Sequence, residues 1–267
     1  MKSILVLTDL SAKAENAAFY ALKIAEKTNA KIILYHAIAH KLEGDDAQAP
    51  DSASLEKTDH EKLHILADLL KYAAEGVKIE TVSKNEDLGH SVKQLVSEHH
   101  VDMIVMGAKG NNAVDDFLFG SDTYNVLYHI SCPILFIPDG GAYQPIKTIV
   151  FADDLKNKYP KAVEFLIDIA KIEHAEIIIT HFGEELTYNQ DKYLDLYKNE
   201  FNYERVTIRQ IDAENVQDWL IEIITRIKAD LLVMIHHDHK LYGEHIAGSN
   251  SQKMLHNHPV PLLILPD

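Results

Sequence analysis

The sequence predicts two α/β domains in tandem, each a five-stranded parallel sheet with helices on both faces in a Rossmann-like arrangement. Three observations predict it. Short apolar runs alternate with amphipathic stretches of helical length, which is the pattern of right-handed crossovers between parallel strands. The chain has 267 residues, a little under two typical domains. And the pattern runs twice: Ala30 to His36 (AKIILYH) recurs 145 residues later as Ala175 to His181 (AEIIITH). The same offset pairs Ala17 with Ala162, Ala25 with Ala170 and Asp9-Leu10 with Asp154-Leu155. Late in each copy the offset is 128, pairing Asp102 with Asp230 and Gly120-Ser121 with Gly248-Ser249. Such spacing marks a tandem duplication whose second copy lost about 17 residues, mainly around its loop and second helix. The stretch from Asp139 to Pro145, with Gly140 and Gly141, reads as the linker, dividing the chain into domains 1–139 and 146–267.

The elements follow in order. Ser3 to Leu7 is apolar throughout, as a strand buried on both faces should be, and it ends at Thr8-Asp9-Leu10-Ser11. Ala14 to Glu26 places Ala17, Ala18, Ala21, Leu22 and Ala25 at helical spacing. Lys31 to Ala37 is the second strand, and the polar stretch from His40 to Ser54 reads as a surface loop. A helix follows with Leu55, Leu66, Leu69, Leu70 and Ala73 expected on its inward side, stopped by Gly76. Val77 to Val82 alternates as a third strand, and Gly89 to His99 is a helix with Val92, Leu95 and Val96 inward. Val101 to Met106 is the fourth strand, a helix runs from Ser121 to Ile130, and Pro133 to Pro138 is the fifth strand.

Between the fourth strand and the following helix lies the stretch with the most chemistry. Met106-Gly107-Ala108-Lys109-Gly110 is followed by nine residues, Asn111 to Phe119, and then by Gly120-Ser121. Glycines at 107 and 110 suit backbone angles that side chains forbid and a close approach by a ligand. Gly120-Ser121 stand where a helix begins, with free N–H groups and the positive end of the dipole directed outward, a setting for a phosphate. Neither GxxxxGK[ST] nor GxGxxG after the first strand is present.

With its Gly107, Gly110 and Gly120-Ser121 spacing, the chain resembles the universal stress protein family, in two fused copies covering nearly its whole length. The resemblance implies a loop that grips the triphosphate and ribose of ATP, with Mg²⁺ or Mn²⁺ in some members. It implies that a carboxylate ending the first strand touches the adenosine moiety and that the end of the second strand lines the adenine. Carried onto this sequence, the cofactor-binding positions are Thr8, Asp9, Leu10, Ile38, Met106, Gly107, Lys109, Gly110, Gly120, Ser121 and Asp122. A rule independent of any family agrees, since parallel sheets bind ligands beyond the carboxyl ends of strands where strand order reverses. Single-domain relatives pair as dimers, so an intramolecular pseudo-dimer through the fifth strands is expected, with a homodimer as a further option.

Composition narrows the partners. Forty-one acidic residues against 26 basic ones give a formal net charge of −15. A surface this negative repels nucleic acid and anionic lipid, so neither is expected as a partner. The single cysteine, Cys132, excludes an internal disulfide, reads as a buried bystander and fits a reducing compartment. No apolar run approaches the ~20 residues of a membrane span, and the N-terminal apolar run is too short for a signal peptide. A cytoplasmic protein is expected.

Several residues carry two readings. Asp9 serves either as a ligand to the nucleotide or as a cap for the helix behind it. Lys109 either neutralises phosphate or is an ordinary solvated lysine. Asp115, Asp116 and Asp122 repel phosphate unless a divalent cation intervenes. His60-Glu61-Lys62-Leu63-His64 matches the zinc-protease pattern HExxH, but both histidines fall nearly opposite the leucine face and should meet water. His36 and His181 hold equivalent strand ends, which suggests packing or a strand-end hydrogen bond. His236, His237, Asp238, His239 and His245 form a denser cluster, read as a polar loop with metal binding as the sharper alternative.

In the second copy Gly107 becomes Ile235 and Gly110 becomes Asp238. Isoleucine is poorly tolerated where positive φ is needed, and the aspartate adds a repelling charge, so nucleotide is expected in the first half only. No catalytic set is recognisable. The expected function is that of an adenine-nucleotide-binding protein with a regulatory or stress-response role. The alternative is an interaction module of the same fold that works without nucleotide, and after it a metal-binding protein or hydrolase using the histidine-rich loop.

Overall fold

The computed structural model describes residues 1–38, 52–107, 130–153, 155, 160–182, 194–211, 216–236 and 259–267. The chain divides into two compact units, Met1–Tyr143 and Gln144–Asp267. The first contains β1 (Ser3–Leu7), α1 (Ala12–Thr28), β2 (Lys31–Ala37), α2 (Ser52–Ala73), β3 (Ile79–Lys84), α3 (Leu88–His99), β4 (Met103–Gly107) and β5 (Ile134–Ile137). All its strand pairs are parallel, in the order β3-β2-β1-β4-β5. The order reverses at β1, with β2 on one side and β4 on the other.

Local chemistry accounts for these elements. β1 is buried along all five residues, because helices cover both faces of a parallel sheet. α1 starts at Ser11, whose Oγ accepts from the Ala14 N–H at 3.3 Å, and stops at Asn29, whose left-handed φ of 54° closes the last turn. Its buried stripe is largely alanine (Ala14, Ala17, Ala18, Ala21, Ala25), so the helix backbone lies close to the sheet.

The inward side of α2 differs from the sequence expectation. Leu69 is 45% exposed and Ala73 is exposed, whereas Leu63, Ala67, Leu70 and Ala74 are buried along with Leu66. The expected face took in Leu69 and Ala73 and left out Leu63 and Ala67, so its apolar centre lay too far round the helix. β3 starts two residues later than its alternating pattern suggested, and all six of its residues are half-buried, as befits the end of the strand order. The expected helix from Ser121 to Ile130 lies largely outside the described residues.

The second unit contains β6 (Thr148–Ala152), α4 (Pro160–Glu173), β7 (Glu176–Phe182), a π-helical turn (Leu196–Glu200), β8 (Val206–Ile211), α5 (Val216–Ile227), β9 (Leu231–His236) and β10 (Leu262–Pro266). Its order, β10-β9-β6-β7-β8, is again parallel throughout. Strand registers reproduce the sequence offsets. Ile4 opposite Ile32 recurs as Ile149 opposite Ile177, and Leu7 opposite Met106 recurs as Ala152 opposite Met234. Ile32 opposite Ile79 corresponds to Ile177 opposite Val206, an offset of 127 at the third strand against 128 at the fourth, so the shortening falls between the second and third strands of the copy.

The repeat extends to hydrogen bonds and to backbone angles. Asp102 Oδ2 accepts from the backbone N–H groups of Lys2 and Ser3, and Asp230 Oδ2 accepts from those of Lys147 and Thr148. Each carboxylate therefore pins the entrance of its copy's first strand to the loop before its fourth. Positive φ recurs at Leu10 and Leu155, at Asn29 and His174, and at His100 and Lys228.

Candidate functional site

The carboxyl ends of β1, β2 and β4 lie side by side, since Leu7 is in register with Tyr35 on one side and Met106 on the other. The chain leaves β1 through a tight turn. Thr8, buried, accepts from the Leu10 N–H through Oγ1 at 3.0 Å, and Leu10 takes a left-handed φ of 63°. Asp9 is exposed, and its Oδ1 accepts from the Ser11 N–H at 3.0 Å. The reading of Asp9 as helix cap is corrected here, because Ser11 is the N-cap. Asp9 instead orders the turn before the cap, and it stands exposed beyond the strand ends.

His36, near the end of β2, fixes this turn from below. Its Nδ1 lies 2.9 Å from the Thr8 carbonyl oxygen, which can only accept, so Nδ1 carries the proton. Its Nε2 lies 3.6 Å from Asp59 of α2. In the second copy His181 Nδ1 meets the Asp153 carbonyl at 3.2 Å, while Asp153 Oδ1 accepts from the Leu155 N–H at 3.0 Å as Thr8 does from Leu10. The strand-end hydrogen bond expected of both histidines is present. Ile38 continues past β2, its N–H donating to the Lys84 carbonyl at 2.9 Å.

Gly107 departs from the sequence expectation. It lies in β4 in register with Ile137 and has no positive φ. Its need for glycine is spatial: a Cβ there would come within 3.2 Å of the Lys13 carbonyl oxygen and 3.3 Å of its carbon. The first turn of α1 thus lies against the end of β4. Lys13 pairs with Asp139 at 3.0 Å, and Asn16 donates to the Gly141 carbonyl at 3.1 Å, holding the segment after β5 on the same helix. Tyr143 stacks edge-on against Tyr20 with Lys27 over its ring. In β9 the corresponding Ile235 is buried and in register with Leu265.

Of the sequence-derived positions, Thr8, Asp9, Leu10, Ile38, Met106 and Gly107 therefore lie along one edge, the carboxyl ends of three adjacent strands. Leu10, Ile38 and Met106 are half-buried apolar residues at the same end of the sheet as the exposed Asp9. Lys109, Gly110, Gly120, Ser121 and Asp122 lie outside the described residues, as do Asp154 and the cluster from His237 to His245. Sequence reasoning missed Ser11 as cap and the Lys13–Asp139 pair. A serine three residues ahead of Ala14 was a readable cap signal; the ion pair, closed across most of the unit, left none.

Elsewhere the electrostatics are structural. Hydrogen bonding from Lys78 holds the Glu80 carboxyl below its usual range, Lys31 adding to it. Burial pushes the Cys132 thiol up to about 12, with the charge of Asp102 acting the same way. Among the described residues no three His, Cys, Asp or Glu side chains converge to hold a metal, and no helix is long and apolar enough to cross a membrane.

Comparison with known proteins agrees with the duplicated fold. The sequence model of the Universal stress protein family matches residues 1–138 and again 145–266. A Staphylococcus aureus protein carrying the universal stress protein name is 26% identical over 162 residues, covering 59% of this chain and 96% of its own. A universal stress protein from Archaeoglobus fulgidus superposes with a TM-score of 0.76 over 99% of this chain and 96% of its own, at 19% identity. A universal stress protein solved in complex with cAMP aligns with 51% of this chain and 96% of its own, at 25% identity and a TM-score of 0.40.

Proposed function

Because the chain belongs to the universal stress protein family, we propose that its first half binds an adenine nucleotide, with ATP as the ligand, and that the bound state serves a regulatory or stress-response role. The observation that carries this reading is the strand-end edge where order reverses at β1, with an exposed carboxylate, Asp9, at the same end of the sheet as the half-buried Leu10, Ile38 and Met106. Apolar residues and a carboxylate at the same strand ends suit a nucleoside, the base resting on the apolar residues and its hydroxyls donating to Asp9. The sequence beyond Gly107 supplies what a triphosphate needs: Gly110, a lysine at 109, and Gly120-Ser121 ahead of a helical stretch. Mg²⁺ or Mn²⁺ accompanying the phosphates would offset the charge of Asp122, and it is the nucleotide's own counterion in this reading.

Mass spectrometry of small molecules released from freshly purified protein tests the proposal. An adenine nucleotide in near-stoichiometric amount is the expected result. Protein that carries none, and that shows no binding heat with ATP in the presence of Mg²⁺ or Mn²⁺, sinks it in favour of the nucleotide-independent interaction module.

A further inference from the structure

We propose that His60 and His64 form a bidentate site for a divalent transition-metal ion of tetragonal preference, Cu²⁺ foremost and Ni²⁺ after it. The two residues are four apart on α2, one turn above each other on the same face. Both are exposed, and their Nε2 atoms face each other at 3.0 Å, with ring centroids 4.4 Å apart. Two imidazoles at this separation share one proton, because a hydrogen bond between them needs one nitrogen to donate. A metal ion takes the place of that proton and uses both lone pairs.

The separation is compatible with the ion, and the ligand chemistry chooses it. With metal–nitrogen bonds of about 2.0–2.1 Å, nitrogens 3.0 Å apart subtend about 95° at the metal. That is the cis angle of square-planar or octahedral coordination and falls short of the tetrahedral angle preferred by zinc. Imidazole nitrogen suits copper and nickel, and copper leads the affinity order among such ions. Water completes the coordination, since no third His, Cys, Asp or Glu converges among the described residues. The site is therefore a binding site and not that of a protease. The pair lacks, among the described residues, the third protein ligand that a catalytic zinc centre keeps. The field favours a dication, given the chain's net charge of −15.

The test is Cu²⁺ titration of the full chain, followed by electron paramagnetic resonance. The other histidines also bind copper, so the comparison is with His64→Ala/Ile65→His, which keeps the number of histidines and moves one ring off the shared face. Ile65 is 60% exposed, so the change leaves the core intact, and circular dichroism confirms the fold. The expected result is one fewer Cu²⁺ bound and loss of a signal with two imidazole nitrogens, in this variant and in His60→Ala alike. Binding in the native chain weakens in acid, because protons compete for the same lone pairs. Unchanged stoichiometry and spectrum in the shifted variant overturn the site. So does a native chain that takes up Zn²⁺ at these residues more tightly than Cu²⁺.

Discussion

His36 donates from Nδ1 to the carbonyl of Thr8 at 2.9 Å, and His181 repeats the contact with Asp153 at 3.2 Å. In each copy a buried imidazole holds the backbone where the first strand ends. Replacing His36 with leucine removes the donor and leaves a buried carbonyl unpaired, a loss of about 1–3 kcal/mol. His181→Leu should cost a similar amount in guanidinium unfolding. The two should part on ligand binding, His36→Leu weakening ATP while His181→Leu leaves its affinity unchanged. Equal effects of both on ATP would mean that the Thr8 turn is not part of the site.

The two sides of α2 make a second comparison. Leu63 is fully buried and Leu69 is 45% exposed, although both are leucines on one helix. Leu63→Ala should cost about 2–5 kcal/mol, the range for a core leucine that leaves a cavity. Leu69→Ser should stay within about 0.5 kcal/mol, as surface changes do. Chemical denaturation of both variants decides it, and a reversed order would return the helix to the face that the apolar spacing suggested.

That helix shows where the sequence could be read and where it could not. Strands announce themselves by unbroken apolar runs, and the duplication fixes their equivalence, so that, given Leu7–Met106, the pairing Ala152–Met234 follows from the offsets. α2 misleads because apolar residues stand on both of its sides, Leu63, Ala67 and Leu70 buried and Ile65, Leu69 and Ala73 exposed, so several faces fit the same spacing. Gly107 misleads for a different reason. A glycine required by φ and one required by a neighbouring backbone look identical in sequence, and only the approach of Lys13 separates them. His36 was legible through its repeat at His181, whereas its neighbour Asp59 had no such signal.

Cys132 supplies a pH-dependent prediction. Burial pushes its thiol up to about 12 from an ordinary 9.0, so the folded chain keeps it neutral where the unfolded chain would ionise it. For a pKa raised by folding, the stabilising contribution is full below pH 9 and is lost as pH rises from 9 toward 12. At pH 8 iodoacetamide should leave the native chain unlabelled and label it fully in denaturant. Fast labelling of the native chain would show that the thiol is accessible. Stability measured from pH 8 upward should fall in the native chain more steeply than in Cys132→Ala.

One nucleotide per chain is the last expectation, and the argument from backbone angle no longer carries it. Gly107 lies in extended strand, so Ile235 is not strained at the equivalent position. What differs is space and charge. Gly107→Ala should push its Cβ against the Lys13 carbonyl, costing about 1–3 kcal/mol as overpacking does and disturbing the strand-end edge. At the next glycine of the loop the second copy carries Asp238 where the first has Gly110. At an effective dielectric near 20, two like unit charges ~4 Å apart repel by about 4 kcal/mol before salt screening. At about 1.4 kcal/mol per decade that is a loss approaching a thousandfold in affinity for a phosphate beside it. Calorimetric titration should therefore give one ATP per chain. Stabilisation of the melting temperature by ATP should vanish in Gly110→Asp and persist in Gly248→Val. Two equivalent sites would show that Asp238 does not exclude nucleotide from the second half, and loss of binding from the Gly248 change alone would move the nucleotide there and leave Asp9 without a ligand.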